Sequence, residues 1–158
     1  MQSGKSVIYV ATAQVDRTDS EWLQRIEQHR CRRPQDWLTL EVPFTLGEAI
    51  KTASLGNCLL VDSLGTWVAN LLEQDDPSWE ETAQNLLLSL NQVAGEVILV
   101  AEETGWGVVP AYSSGRTFRD RLGNLVRRLG AIAAPVYLVT GGHALNLSTL
   151  GSPLPPSN

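Results

Sequence analysis

A histidine surrounded by arginines stands in the segment RIEQHRCRRP, residues 25–34. If the segment is helical, His29, Arg32 and Arg33 share one face, because residues three and four apart on a helix are neighbours. A neutral imidazole is a nucleophile toward phosphorus, and guanidinium groups bind phosphate oxygens bidentately. The segment therefore fits covalent chemistry on a phosphate. It also fits a solvated basic helix end whose charges suit the helix dipole, and local sequence alone favours this second interpretation.

A carboxylate at the end of an apolar run is the second candidate. CLLVD, residues 58–62, has the form of a buried strand that delivers an aspartate to Mg²⁺ in phosphoryl-transfer enzymes. The alternative is an ordinary strand end, at which Asp62 caps the helix that follows. The motif alone leaves both interpretations open.

Two further clusters lie downstream. VAEETGWGVVP, residues 100–110, places Glu102 and Glu103 beside two glycines, in a loop that suits a general base, a ribose contact or plain loop chemistry. RTFRD, residues 116–120, sets two arginines and an aspartate on one helical face, which is more often a surface salt-bridge set. Neither cluster defines a site by itself.

The stretch SGKS, residues 3–6, has the ending of a phosphate-binding loop. Such a loop follows a strand and opens a helix, and its pattern begins with a further glycine five residues before the glycine of GK. Here that glycine would fall before Met1, and Ser6 leads directly into the strand-like VIYVAT. The context therefore indicates a polar lead-in to a buried strand rather than a working loop.

Composition narrows the class of protein. The chain has 158 residues, 43% of them hydrophobic and 18% charged, which fits one globular domain. A net charge of −5 argues against general nucleic-acid binding. Cys31 and Cys58 lack metal or redox spacing and are expected to be reduced thiols. Because no membrane span or leader pattern is visible, we expect a cytoplasmic protein.

Apolar, β-branched runs alternate with helical patterns along the chain. Strands are predicted at 7–12, 37–42, 58–62, 96–103 and 135–140. Helices are predicted at 19–30, 45–54, 64–73, 78–94 and 116–133. This alternation predicts an α/β fold with a parallel sheet covered by helices on both faces. Residues 1–142 are expected to form a single nucleotide-binding domain, and residues 143–158 a loose tail.

The predicted sheet also predicts where a ligand would bind. In open α/β sheets, ligands lie beyond the carboxyl ends of the strands. Small, hydroxyl and acidic residues stand at the carboxyl ends of three of the predicted strands: Ala11-Thr12-Ala13 at the first, Asp62-Ser63 at the third, and Glu102-Glu103 at the fourth. This edge is therefore the candidate site.

Taken in chain order, these sequence motifs resemble those of one protein family. The matching stretches are YVATAQ (9–14), RIEQHRCRRPQDWLTLEVP (25–43), LLVDSLGTWVANLL (59–72), VAEETGWGVVP (100–110) and GRTFRDRLGNL (115–125). Together they resemble the bifunctional adenosylcobinamide kinase/adenosylcobinamide-phosphate guanylyltransferase family of cobalamin biosynthesis. The resemblance covers the chain from residue 7 to about residue 142.

The resemblance implies a RecA-like, P-loop-type α/β fold, usually assembled as a homo-oligomer. It implies a kinase step on adenosylcobinamide and then GMP transfer from GTP to the resulting phosphate, with ATP, GTP and Mg²⁺ as substrates and cofactor. His29 would be the catalytic histidine that carries GMP. Nucleotide-binding positions carried over by motif are Ala11, Thr12, Ala13, Arg30, Cys31, Arg32, Arg33, Glu41 and Asp62, with Asp62 also a metal ligand. No nucleic-acid or membrane partner is implied.

The amino terminus departs from the family pattern that this resemblance implies. Family members have a strand, a GGARSGKS-like loop and a helix before the Y-x-A-T strand, whereas SGKS here touches that strand directly. We therefore expect the first strand, the phosphate-binding loop and the first helix to be lacking, which puts the kinase step in doubt. A catalytically inactive remnant, or a nucleotide-binding module of the same fold, is the alternative. Glu102 also stands where the family often has asparagine.

Overall fold

The computed structural model describes residues 4–16 and 18–154. It divides the chain into two compact units, the first ending at Glu103 and the second beginning at Thr104. The strands of the first unit are β1 (Ser6–Ala11), β2 (Leu38–Glu41), β3 (Asn57–Asp62) and β4 (Glu96–Leu99). Its helices are α1 (Ser20–Cys31), α2 (Leu46–Ile50), α3 (Leu64–Asn70) and α4 (Asp76–Gln92). The second unit contains α5 (Ser113–Gly130), β5 (Tyr137–Thr140), β6 (His143–Asn146) and α6 (Leu147–Leu150).

The first unit is built on a four-stranded sheet in the order β2-β1-β3-β4, with every neighbouring pair parallel. At its centre Val10 lies in register with Leu40 on one side and Val61 on the other. Val10, Leu59 and Val61 are fully buried, as expected for β-branched and aliphatic residues on central strands. The predicted α/β class and parallel sheet are confirmed.

Helices α2, α3 and α4 carry the rest of the core of this unit. Trp67 of α3 is 1% exposed, and its ring centroid lies 5.8 Å from that of Trp79 on α4. The indole N–H of Trp67 donates to the Phe44 carbonyl at 2.9 Å, so the buried ring keeps a hydrogen-bond partner. Trp67 is thus a core residue, whereas Trp22 and Trp37 are only partly buried.

Helix α1 begins where its sequence predicts and lies at the surface. The Asp19 side chain accepts a hydrogen bond from the Trp22 backbone N–H at 2.9 Å and so caps the first turn. None of its residues is fully buried. The helix ends at Cys31, three residues before Pro34, so Arg33 lies beyond it. The expectation that Arg33 shares a helical face with His29 is therefore wrong.

Two strands differ from the sequence prediction. Strand β2 is an edge strand whose four residues are all exposed, with Leu38 at 64%, so its apolar composition overstates its burial. Strand β4 was expected to continue to residue 103 but ends at Leu99. Val100 still donates to the Val61 carbonyl at 3.0 Å and then accepts from Leu64 N–H at 2.8 Å, which turns the chain toward α3.

In the second unit the predicted fifth strand does not extend a parallel sheet. Strand β5 pairs antiparallel with β6 in a separate two-stranded sheet. Gly141 and Gly142 connect them with φ values of 57° and 75°, the left-handed conformations that a two-residue hairpin turn requires. Residues 143–150, expected to belong to a loose tail, form β6 and α6. Among the described residues, no helix is both long and apolar enough to cross a bilayer.

Candidate functional site

Backbone and side chain of Thr12 join the carboxyl ends of β1 and β3. The Thr12 hydroxyl is fully buried; it donates to the Ser63 carbonyl at 2.8 Å and accepts from the Ser63 N–H at 2.9 Å. The Thr12 N–H donates to the Asp62 carbonyl at 3.4 Å. Thr12 therefore fixes the backbone on which Asp62 is carried, and its own hydroxyl is already engaged.

Asn70, on the last turn of α3, connects the carboxyl ends of β1 and β2. Its side-chain amide donates to the Thr12 carbonyl at 2.7 Å and to the Pro43 carbonyl at 2.9 Å. These carbonyls follow β1 and β2, so one side chain satisfies two acceptors that the sheet ladder leaves open. The carboxyl ends of β1, β2 and β3 are thus tied together.

Glu102 adds the segment that follows β4. Its carboxylate accepts hydrogen bonds from the Ser63 hydroxyl and, at 2.9 Å, from the Gly65 N–H. Ser63 in turn accepts from the Thr66 N–H at 3.3 Å and is the N-cap of α3. The interpretation of Asp62 as that cap is therefore wrong, because Ser63 and Glu102 satisfy the first turn of the helix.

The Asp62 side chain instead accepts a hydrogen bond from the Tyr9 hydroxyl. Tyr9 is 7% exposed, and the Arg33 guanidinium lies 3.4 Å from the centroid of its ring. Burial, followed by the hydrogen bond to Asp62, raises the pKa of Tyr9 to about 12. Arg33 also donates to the Thr39 hydroxyl at 3.3 Å. The structure thus joins two predicted site residues, Arg33 and Asp62, through a residue that the sequence did not single out.

The end of α1 presents the predicted nucleophile. His29 is exposed on the last turn of the helix. Its neighbours Arg30 and Cys31 both donate to Glu27, at 2.9 Å and 3.4 Å. The hydrogen bond from Arg30 holds the pKa of the Glu27 carboxyl below its ordinary value, and the hydrogen bond to Glu27 raises the pKa of the Cys31 thiol. In this arrangement Arg30 and Cys31 are engaged locally, and Arg32, at the C-cap, is exposed.

The last row of the sheet holds Ala11 between two carboxylates. Ala11 is in register with Glu41 on one side and with Asp62 on the other. Residues in register on neighbouring strands share a face, so Glu41 and Asp62 lie two strand spacings apart, roughly 10 Å. Ala13 follows at the same edge and is partly buried.

The residues at this edge suit Mg²⁺ only as a nucleotide-bound ion. Among the described residues, no three His, Cys, Asp or Glu side chains form a group that would hold a metal alone. Mg²⁺ usually keeps several waters and is bound through one or two carboxylates plus substrate phosphates. Asp62, partly exposed at a strand end, fits that single-carboxylate role.

In the second unit the two predicted arginines hold a loop. Arg116 donates to the carbonyls of Pro110 and Ala111, at 3.1 and 2.6 Å. Arg119 donates to the Gly105 carbonyl at 2.9 Å. The surface salt-bridge interpretation of these arginines is thereby replaced by one in which they fasten the loop that carries Trp106, itself 72% exposed.

The described part of the SGKS stretch, residues 4–6, lies at the opposite end of the sheet from the candidate site. Ser3 falls outside the described residues, but Gly4 and Lys5 lead directly into β1. The Lys5 ammonium pairs with Glu96, the first residue of β4, at 3.0 Å. Because β1 and β4 run parallel, this pair marks the amino edge, and the interpretation of the stretch as a lead-in to a strand is confirmed.

Sequence reasoning missed Tyr9 and Asn70. Asn70 carried a usable signal, because an amide inside the apolar run LGTWVANLL needs acceptors when it is buried. Tyr9 carried a weaker one, since a tyrosine in a buried strand needs a partner for its hydroxyl. Neither signal identifies the partner, which comes from strand register.

A parallel α/β sheet whose carboxyl edge gathers a carboxylate, an arginine and small residues is typical of proteins that bind nucleotide phosphates. The family model of cobinamide kinase / cobinamide phosphate guanyltransferase matches residues 1–147. The bifunctional adenosylcobalamin biosynthesis protein CobP of Pseudomonas aeruginosa is 40% identical over 155 residues, which cover 97% of this chain and 87% of that protein. CobU of Escherichia coli, which carries the same descriptive name, is 34% identical over 89% of this chain and 85% of its own length. The chain therefore belongs to the cobinamide kinase / cobinamide phosphate guanyltransferase family, and it is a transferase of the kinase and nucleotidyltransferase type.

Proposed function

We propose that this chain transfers GMP from GTP to the phosphate of adenosylcobinamide phosphate in cobalamin biosynthesis, through a covalent intermediate on His29. The kinase step on adenosylcobinamide belongs to the same proposal. The observation that carries the proposal is the family match, which spans the motif around His29 and the end of β3. The proposed fold type is the RecA-like class, which the parallel sheet order supports.

The chemistry takes place in two displacements at phosphorus. A ring nitrogen of His29 forms a bond to the α-phosphorus of GTP, while the bond from that phosphorus to the bridging oxygen breaks and pyrophosphate leaves with the bonding electrons. A phosphate oxygen of adenosylcobinamide phosphate then attacks the same phosphorus, and the imidazole leaves. The proton on the other ring nitrogen is released to solvent and regained over the cycle. Exposure of His29 suits this role, because both substrates must reach the ring.

The remaining positions have distinct proposed roles. Arg30, Arg32 and Arg33 would bind the phosphate oxygens, since guanidinium groups present paired donors to them. For Arg30 this requires exchange of the Glu27 carboxylate for phosphate, which is feasible because an exposed ion pair is weak. Asp62 would hold Mg²⁺, which when bound offsets charge on the departing pyrophosphate.

The edge of the sheet supplies further proposed contacts. Ala11, Thr12 and Ala13 would line the nucleotide with main-chain atoms and small side chains, since the Thr12 hydroxyl is already bonded to Ser63. Glu41 would contact the guanosine part, and Cys31, two residues after His29 on α1, is a further nucleotide contact that the family resemblance implies. The close approach of a ligand to this row is easiest where side chains are small.

The test uses the fact that the chain has two histidines, His29 and His143. Protein incubated with α-³²P-labelled GTP and Mg²⁺ is denatured and counted for bound label. We expect wild type and the matched control His143→Ala to be labelled, and His29→Ala to be unlabelled. A phosphorus–nitrogen bond is lost in acid and survives in base, so label of that stability identifies the linkage. His143 suits the control because it is the first residue of β6, outside the α1 motif, and its Nδ1 lies 2.9 Å from the Gly141 carbonyl oxygen.

A second measurement separates catalysis from binding. Equilibrium dialysis with GTP should show that His29→Ala still binds the nucleotide, and labelled wild type should release its GMP to adenosylcobinamide phosphate. If wild type binds GTP and never acquires label, the chain is a nucleotide-binding module and the proposal is wrong. Label that persists in His29→Ala would equally refute the role of this residue.

A further inference from the structure

We propose that Tyr9 is a positioning residue of this site, which holds the Arg33 guanidinium with its ring and the Asp62 carboxylate with its hydroxyl. This inference deepens the proposed function and rests on it for the roles of Arg33 and Asp62. Tyr9 itself touches neither substrate nor metal in the proposal. Its effect is to set the places of one cationic and one anionic group relative to each other.

The register of the sheet explains how one residue reaches both groups. Tyr9 pairs with Thr39 of β2 and with Leu60 of β3, so it shares a face with both. Asp62 stands two residues beyond Leu60 and therefore points to the same face, diagonally ahead of Tyr9. A tyrosine is long enough to span that diagonal, and its hydroxyl meets the Asp62 carboxylate.

Arg33 approaches the same ring from the segment between α1 and β2. Its guanidinium carbon lies 3.4 Å from the ring centroid, which is a stacked cation–π contact. The hydrogen bond from Arg33 to Thr39, at 3.3 Å, holds the other end of the group over the neighbouring strand. Tyr9 and Thr39 are register partners, so these two contacts fix Arg33 to one row of the sheet.

Charge and burial fit this role. The Arg33 cation stacks on the ring face, where the quadrupole is negative, while the polar end of the same ring donates to an anion. The Tyr9 hydroxyl is thereby bonded directly to the Asp62 carboxylate, which fixes where that carboxylate lies. Because Tyr9 is 7% exposed, water does not compete strongly for the hydroxyl.

The two functions of Tyr9 can be separated by substitution. Tyr9→Phe keeps the ring under Arg33 and removes the hydrogen bond to Asp62, whereas Tyr9→Leu removes both. Tyr137→Phe, in the half-exposed β5 strand, is the matched control for loss of a tyrosine hydroxyl. Far-UV circular dichroism and urea unfolding of each variant establish that it is folded before kinetics are measured.

We expect Tyr9→Phe to lower kcat of GMP transfer about tenfold and to leave KM for GTP within twofold of wild type. Without the hydrogen bond from Tyr9, the Asp62 carboxylate is no longer held in place, and this matters most in the transition state, when charge develops on the departing pyrophosphate. Tyr9→Leu should share that kcat and raise KM for GTP by about two- to fivefold, since Arg33 loses a cation–π contact. A KM for GTP that is raised in Tyr9→Leu and close to the wild-type value in Tyr9→Phe is a result that a general loss of stability would not produce. If Tyr9→Leu does not fold, Arg33→Lys replaces it and should raise KM in the same way, because an ammonium group cannot stack as a plane.

Unchanged kcat in Tyr9→Phe, or equal KM values for Tyr9→Phe and Tyr9→Leu, would overturn the proposal. Failure of the proposed function gives a different pattern: wild type then shows no GMP transfer at all. In that case the dissociation constant for GTP still depends on the contact between the Tyr9 ring and Arg33. We expect Tyr9→Leu to bind GTP more weakly than Tyr9→Phe does. Equal dissociation constants in the two variants would count against Tyr9 whatever the chain catalyses.

Discussion

Replacing Gly65 by alanine puts a methyl group where the Glu102 carboxylate lies. A Cβ at position 65 would stand 2.6 Å from Cδ of Glu102 and closer still to one of its oxygens. Real Cβ atoms do not approach other atoms so closely, so the carboxylate must leave. It then loses the hydrogen bonds from Gly65 N–H and from the Ser63 hydroxyl.

The size of this effect follows from the role of Glu102 at the start of α3. A capping side chain contributes about 0.5–2 kcal/mol, and the exposure of Glu102 places it in the middle of that range, at about 1.5 kcal/mol. Alanine in a helix gains about 0.5–1 kcal/mol over glycine, which offsets part of the loss. We therefore expect Gly65→Ala to lower the free energy of unfolding by about 0.5–1 kcal/mol when Glu102 is present. In the Glu102→Ala background the same change should raise the free energy of unfolding by about 0.5–1 kcal/mol.

The assay is a double-mutant cycle measured by urea unfolding, followed by tryptophan fluorescence and circular dichroism. The expected coupling between positions 65 and 102 is about 1–1.5 kcal/mol, well above the roughly 0.5 kcal/mol within which independent sites add. Gly123→Ala is the control, because Gly123 is exposed on α5 and a Cβ there meets nothing within 4 Å. Gly123→Ala should raise the free energy of unfolding. Additive effects at positions 65 and 102 would refute the assignment of Gly65 as the residue that admits the carboxylate.

Two further predictions concern Tyr9 and Lys5. Burial and Asp62 raise the pKa of Tyr9 from 10.0 to about 12, above its unfolded value, so the stability that this protonation provides is complete below pH 10 and falls as pH rises toward 12. Urea titrations should therefore show a steeper loss of stability over that interval in wild type than in Tyr9→Phe, and parallel losses would contradict the shift. Lys5→Ala should leave GMP transfer and any use of ATP unchanged and cost about 0–1 kcal/mol of stability, because its pair with Glu96 is solvent-accessible. A selective loss of ATP-dependent phosphorylation in this variant would restore SGKS as a phosphate-binding loop.

The elements of this fold that could be predicted are those with local causes. The parallel strands follow from apolar, β-branched runs, and the start of α1 follows from Asp19 as a capping residue. Strand β5 does not join the parallel sheet that the alternation of strands and helices predicts, and the sequence carries a signal for this. Gly141-Gly142 directly after an apolar run is a hairpin turn, and it predicts an antiparallel partner.

The location of the site could be predicted from the sequence, but its side-chain contacts could be predicted only in part. The carboxyl edge and Asp62 follow from the topology of parallel strands. The partners do not, because they are brought together across long stretches of chain: Tyr9 and Asp62 are 53 residues apart, and Thr12 and Ser63 are 51 apart. A residue type shows that a side chain needs a partner, whereas only strand register shows which partner it finds.

The two hydrogen bonds of Asn70 also bear on the order in which parts of the chain fold. Its two acceptors, the carbonyls of Thr12 and Pro43, lie 58 and 27 residues away along the chain. Such bonds reward a folding chain only after the long loops between the partners have closed. Strands β1 and β2 must already be docked before one amide can satisfy both carbonyls. We therefore expect these two hydrogen bonds to form only once β1 and β2 are in place, so that nucleotide binding at this rim would report that the two strands have docked.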